Sequence, residues 1–477
     1  MDKQLIYDCI ERRSGSFIEI SDRIWDYAEL SMEEYKSAAC YVDFLQQEGF
    51  RVQEHIAGIS TAFSASYGQG RPVIGLLAEY DALSSLSQKP EREVRDPLIP
   101  GGNGHGCGHN LLGAGVLAAA VAVKEMIEKG LLHGTVVLYG CPGEEGCAGK
   151  AFMARDGMFR DLDAALTWHP GDVNEITSGS NAACLQIEYT FTGIAAHAAG
   201  CPEMGRSALD AAELMNVGVQ FLREHTKRSD SIHYSFLDVG GPSPNVVQPI
   251  ARVLYMVRSD TVRNAKKLLA RVDNVARGAA MMTDTQVSIR QIDGTSNTLS
   301  NEVLEQLLYD NFQMVPLPRY TQQEWDFASR LCDTYEKPEL PGTATAMFPE
   351  IYRFVNEKTE QGRRPVNDFL IPYVHSNIMS QGSTDVGDVS WLTPTAQFNA
   401  VCWPSCAPGH SWQVVCVGKS AFAHKGMLLA AKVLAGAVAD LMENPALLAR
   451  AREEFAMTAR HGYDCPLGPE VKPNPVL

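Results

Sequence analysis

Apolar residues in this chain fall into two rhythms. Short unbroken runs of strand length occur at Val73 to Ala78, Thr135 to Cys141 and Ala164 to Trp168. Between them, Leu111 to Lys129 and Lys150 to Met158 read as helices, and Arg23 to Gly49 carries an amphipathic helical pattern that stops at Gly49. Strands without polar alternation are buried on both faces. Their repetition with helices predicts an α/β fold with a largely parallel sheet covered by helices on both sides. In such a sheet, chemistry collects beyond the carboxyl ends of the strands.

The pattern changes near Ala183. Strands are predicted at Leu185 to Thr192, Ser231 to Val239, Ala251 to Arg258 and Thr285 to Ile292, with helices at Ser207 to Glu224 and Val262 to Met281. This β-α-β-β-α-β order is the split ferredoxin-like plan, and it predicts an α+β domain at 184–296 inserted between parts 1–183 and 297–477 of a first domain. After Ser300 the first pattern returns, with a strand at Ala396 to Cys402 and a helix at His424 to Met442. The stretch from Gln313 to Gln381 is polar and Pro-bearing, and gives no clear element.

At 477 residues the chain exceeds one core, and 45% hydrophobic with 21% charged residues is ordinary for a globular protein. The balance of 41 basic against 57 acidic residues gives a charge of −16 with no Lys/Arg block, which argues against nucleic acid and anionic membrane as partners. The run Leu111 to Val123 is apolar but shorter than the roughly 18 residues of a membrane span, so a buried helix is expected. The first residues lack the apolar stretch of a secretory signal, and twelve scattered cysteines fit reduced thiols better than a disulfide framework. A cytoplasmic setting is the expectation.

Four clusters carry candidate chemistry. Gly104 to Asn110 (GHGCGHN) precedes a helix, and its glycines allow Cys107 and His109 to converge as metal donors or as a thiol–imidazole dyad. Glu144 and Glu145 follow a strand in Pro142-Gly143-Glu144-Glu145-Gly146. Adjacent carboxylates on a turn can divide into a ligand and a general base. His169 closes a third strand, and His410 follows a fourth in Pro408-Gly409-His410-Ser411-Trp412. Each is ordinary alone; their sharing one sheet edge points to a metal site. Asp81, in Glu79-Tyr80-Asp81-Ala82-Leu83, is placed to hold the far nitrogen of a ligating histidine, and Glu79 either does the same or is a strand-end charge.

With these motifs, and with Asp163 to Pro170, Gly193 to Ala199, Ser383 to Val389 and Ala423 to Met427, the chain resembles the aminoacylase and glutamate-carboxypeptidase superfamily of dinuclear metallohydrolases along its whole length. The resemblance implies a zinc-peptidase-like catalytic domain with an inserted lid and dimerisation domain. It implies Cys107, His109, Glu145, His169 and His410 as ligands of two divalent metal ions, with Cys107 bridging, Glu144 as general base and Asp81 behind His109. It further implies that His197 reaches a neighbouring subunit's site to hold the scissile carbonyl oxygen, and that Asn245 and Arg258 contact a substrate carboxylate. The expected reaction is hydrolysis of an N-acyl amino acid, with p-aminobenzoyl-glutamate giving p-aminobenzoate and glutamate, or of other acyl amino acids and dipeptides. A homodimer, or a heterodimer with a related subunit on which activity depends, is expected. One thiolate, three imidazoles and a carboxylate suit zinc, while the resemblance suggests manganese. Asn110 stands where many relatives have Asp, which is expected to retune hydrogen bonding around His109. A metal-free hydrolase using the Cys107 thiol is the remaining alternative.

Overall fold

The computed structural model describes residues 1–336 and 340–473. Six strands come early: β1 (Arg51–Glu54), β2 (Phe63–Gln69), β3 (Val73–Ala78), β4 (Gly134–Gly140), β5 (Ala164–Gly171) and β6 (Glu175–Thr177). There follow β7 (Ser180–Asn181), β8 (Ala183–Thr192), β9 (Ser231–Asp238), β10 (Ile250–Ser259), β11 (Gln286–Thr295), β12 (Met379–Ser380) and β13 (Thr395–Val401).

A seven-stranded sheet has the order β1-β2-β4-β3-β5-β13-β6. Its central strands β4, β3, β5 and β13 are parallel, and they are the apolar runs of the sequence. The flanks are antiparallel: β1 and β2 on one side, β6 on the other. β2 (FSASYGQ) escapes a search for apolar runs because Ser, Gly and Gln interrupt it.

The His109–Glu128 helix is apolar on every side and buried almost throughout, between the sheet and the Gln4–Arg12, Ser14–Tyr27 and Ala421–Glu443 helices. Trp168, 1% exposed, donates from Nε1 to Leu112 O at 3.0 Å and so locks β5 to the first turns of this helix. The pattern from Arg23 to Gly49 is not one helix. It divides into Ser14–Tyr27 and Tyr35–Gln47, because the backbone turns left-handed at Ala28 (φ 42°) and Leu30 pairs with Ala82.

The second sheet is antiparallel, in the order β11-β8-β10-β9, which is the ferredoxin-like arrangement. The Ala208–Arg223 and Val262–Thr283 helices pack on one face of it over Ile187, Tyr189, Phe191, Val253, Tyr255 and Val257. The polar 313–381 stretch also has structure. It holds helices at Gln322–Cys332 and Pro349–Lys358, and a small core where Ile351, Val355, Phe369 and Ile371 meet Val173; its residues 337–339 lie outside the described residues.

Asp293 sits beside a register shift in β11, and burial, followed by the charge of Asp385, raises its carboxyl pKa to about 7. The folded protein therefore holds this proton more tightly than an unfolded chain, in which Asp titrates near about 3.9. The stabilisation is complete below about pH 4 and is lost as pH rises through about 7. Asp293→Asn should gain stability over wild type across that window and keep the gain above it. Urea midpoints measured from acid to alkaline pH would show curves that diverge; parallel curves would contradict the assignment.

Candidate metal centre

The parallel strands deliver their loops to one edge of the sheet. β3 is followed by Glu79 and Asp81, β4 by Glu144 and Glu145, and β5 carries His169 near its end. His410 lies in the loop after β13, and its backbone N–H donates to Gly106 O at 3.0 Å, joining two donor loops. His410 adopts φ 54°, a left-handed conformation seldom taken outside glycine. Gly108 precedes His109 at φ 75°, and a Cβ there would fall 3.0 Å from Trp403 and 3.1 Å from Pro170. Only glycine lets Cys107 and His109 come this close to the strand that bears His169.

Two sets of donors share one residue. Cys107, His109 and His169 form the first and Cys107, Glu145 and His410 the second, with donor atoms in each set within 4.8 Å of one another. Cys107 Sγ lies 3.4 Å from His169 Nε2, and Glu145 lies 3.5 Å from His410 Nε2 and 3.9 Å from His109 Nε2. Glu79, His109 and Glu144 make a third set within the same limit.

The far sides of the rings are held. His109 Nδ1 lies 2.9 Å from Asp81 Oδ1, and His169 Nδ1 donates to Pro170 O at 2.7 Å, which leaves both Nε2 atoms facing the cluster. Asp81 Oδ2 also accepts from Glu145 N–H at 2.9 Å and from Ser31 Oγ at 2.8 Å.

The electrostatics fit a cation. Buried His109 Nε2 and Glu145 Oε1 make no well-formed hydrogen bond, although Glu79 Oε2 lies 3.2 Å from the ring nitrogen, an arrangement expected of donors gathered for an ion. Burial, then the charge of His109, lowers the His169 pKa to about 4 and keeps the ring neutral. Burial and then Glu145 raise the Cys107 thiol, so a nearby cation is needed to make it a thiolate, which disfavours a metal-free thiol nucleophile. Against the effect of burial, the His109 hydrogen bond and charge bring Asp81 down to about 2. Burial, followed by the charges of Glu79, Asp385 and Glu145, raises Glu144 well above the ordinary carboxylate range.

Three further residues, His197, Asn245 and Arg258, lie in the segment that carries the second sheet. His197 is exposed and accepts from the Ala199 and Gly200 N–H groups, while Asn245 accepts from Ala198 N–H beside it. Both lie near the Ile250 end of β10, with Arg258 near the other end, some eight residues or about 26 Å of strand away. Arg258 lies against Cys184 with its buried Nε unpartnered. Asn110 turns away from the cluster. It donates to Ser21 Oγ at 3.1 Å and Gly418 O at 3.0 Å, so it anchors the helix and does not act on the hydrogen bonds of His109.

Sequence reasoning missed two charged groups behind the site. Lys150 Nζ lies 2.6 Å from both Glu79 Oε1 and Asp385 Oδ1. A lysine among Ala151, Phe152 and Met153 was a signal for it, since charged residues are buried only when paired.

A parallel sheet whose carboxyl edge gathers thiol, imidazole and carboxylate donors defines a metallohydrolase. Residues 75–376 match the model of peptidase family M20/M25/M40, and the chain belongs to this family. It is 40% identical over 480 residues to one of the subunits of the p-aminobenzoyl-glutamate hydrolase of Escherichia coli (strain K12), covering 99% of each chain. It is 27% identical to the Xaa-Arg dipeptidase of Mus musculus, over 91% of this chain and 88% of that one. The fold is also that of a Bacillus subtilis dinuclear metal-binding peptidase of the M20 family. That comparison has a TM-score of 0.56 at 16% identity, and covers 91% of this chain and 99% of the other.

Partners behind a ligating histidine typically contribute about 10- to 100-fold in metal affinity. Asp81→Asn should weaken metal binding by that order in competition with a chromophoric chelator. Unchanged affinity would remove Asp81 from the site.

Proposed function

We propose that this chain hydrolyses the amide bond of an N-acyl amino acid, with p-aminobenzoyl-glutamate as the foremost substrate, and uses two divalent cations to do so. The observation that carries the reading is the pair of donor sets sharing Cys107, with Glu144 alongside. The relative at 40% identity carries p-aminobenzoyl-glutamate in its name, which supports the substrate class. Cations bound here supply Lewis acidity, polarising a carbonyl and making water acidic near neutral pH. The cations are zinc or manganese: the donors accept either ion, and availability decides between them.

Glu144 acts as the general base and then as the acid. Its carboxylate accepts a proton from the attacking water and passes it to the amide nitrogen as the C–N bond breaks. Burial among other carboxylates raises its proton affinity, as that task requires. Glu145 is committed to the second donor set. The unpartnered Nε of Arg258 supports a role in binding the substrate carboxylate.

The distance between Arg258 and the His197–Asn245 pair favours a site completed by a second subunit, of this chain or of a related one. His197 from that subunit would donate to the carbonyl oxygen as charge develops there. The exposed edge strand β9, with Tyr234 40% and Phe236 38% exposed, supports pairing through the second sheet. A reducing, cytoplasmic setting is part of this reading, because Cys107 must stay a thiol to bind metal.

Glu144→Gln should keep its metal content and lose about 10²- to 10⁴-fold in turnover of p-aminobenzoyl-glutamate. Near-normal turnover in the metal-loaded variant would reject the base, and chelator-insensitive turnover of wild type would reject the metal. Mixing inactive Glu144→Gln chains with inactive His197→Ala chains should restore about a quarter of wild-type activity, since half of randomly exchanged two-fold dimers are mixed and each has one intact site. Subunit exchange without recovery would place His197 in its own subunit's site, and an active His197→Ala chain would remove it from the site altogether.

A further inference from the structure

Lys150 takes no part in the reaction above, yet it is fully buried in the Gly149–Arg155 helix beside the metal donors. Its Nζ is clasped between Glu79 Oε1 and Asp385 Oδ1, and its backbone N–H donates to Asp385 Oδ2 at 2.8 Å. The other oxygen of Glu79 lies 3.2 Å from His109 Nε2, the ring nitrogen that faces the cluster. Glu79 is therefore a two-sided link, with one oxygen on the lysine and the other at a metal ligand.

Asp385 is a firm anchor. It begins the short Val386–Ser390 helix, in which Asp388 accepts from Ser296 N–H at 3.0 Å and Ser296 Oγ at 2.7 Å. Gly387 lies so close to Ser296 that an added Cβ would fall 2.0 Å from its carbonyl oxygen. Stability is a weak reason to retain such a triad, because well-packed apolar replacements of buried ion pairs are often neutral or stabilising. Its place beside a metal ligand gives a better one. Glu79 is held within 4.8 Å of Glu144 and His109, so its release from Lys150 would free a negative charge inside the donor cluster.

We propose that Lys150 is a positioning residue of the metal centre: held by Asp385, it fixes Glu79 and thereby sets the place of His109 and the space beside Glu144. The inference rests on the metal-centre reading, and cobalt(II) titration of the metal-free protein separates the two. Wild type should bind cobalt with a thiolate charge-transfer band from Cys107; if it does not, the metal-centre reading fails and this inference with it.

The paired change Lys150→Met with Asp385→Asn removes one positive and one negative charge together. It should bind cobalt about 10- to 100-fold more weakly, with shifted visible bands, while the metal-free variant melts near wild type. Glu79→Gln keeps the side chain's shape and should change the bands in the same way, and it carries the test if the paired variant does not fold. Wild-type affinity and bands in folded Glu79→Gln would overturn the proposal. Partial return of the bands when Arg replaces Met at position 150 would separate positioning by charge from mere packing.

Discussion

Everything at the site depends on parallel pairing of the four central strands. Parallel strands end at the same edge, and here the register sets their ends level. Ala78 pairs with Gly140, so Glu79 and Cys141 leave the sheet together. Leu76 pairs with Leu166, which places Glu79 level with His169 three residues further on, and Asn399 pairs with His169. A slip of one residue in any of these pairs would turn a donor to the opposite face. The buried His109–Glu128 helix begins at this edge with His109, and the turn before it adds Cys107. The apolar core and the polar site are thus one construction: Trp168 fills the core while His169, next in sequence, faces the donors.

Charge gives the edge its purpose. Glu79, Asp81, Glu144, Glu145 and Asp385 gather around the histidines, and Lys150 is the fixed cation among them. Burying such an excess of carboxylate is unfavourable unless protons or cations enter. In the absence of an ion, burial and then the neighbouring carboxylates raise Glu144, while Cys107 and then Asp81 draw His109 toward its charged form against the effect of burial. Cation binding and proton release are therefore opposite sides of one equilibrium.

Much of this was legible in the sequence because the central strands are unbroken apolar runs, with Glu144, Glu145, His169 and His410 at or after their ends, and because a glycine-rich turn before an apolar helix marks Cys107 and His109. Legibility failed where the signal was of another kind. β2 is held by its neighbours and not by hydrophobicity, so its composition resembles a loop. The Gln322–Cys332 helix lies in a polar stretch, where its one local mark is the capping box of Thr321 and Glu324. Lys150 and Asp385 are far apart in the chain and ordinary in type, and only the fold makes them a pair. For His197, Asn245 and Arg258 a linear motif cannot state which copy of the chain a residue serves. The length of β10 raises that question.

Adjacent glutamates on one turn would ordinarily be interchangeable, and here their surroundings divide them. The backbone N–H of Glu145 is tied to Asp81, the residue that also holds His109, so the position of Glu145 is coupled to that of a ligand ring. Its side chain faces His410 and the Cys107 sulfur. Glu144 lies within 4.8 Å of Glu79 and His109, where burial and then like charges oppose its ionisation. A ligand must give its lone pairs to the ion, whereas a base must keep one for the proton it will carry. Burial raises both carboxyls, but Glu144 stands outside the two donor sets that share Cys107, which suits the proposed division into a proton carrier, Glu144, and a ligand, Glu145.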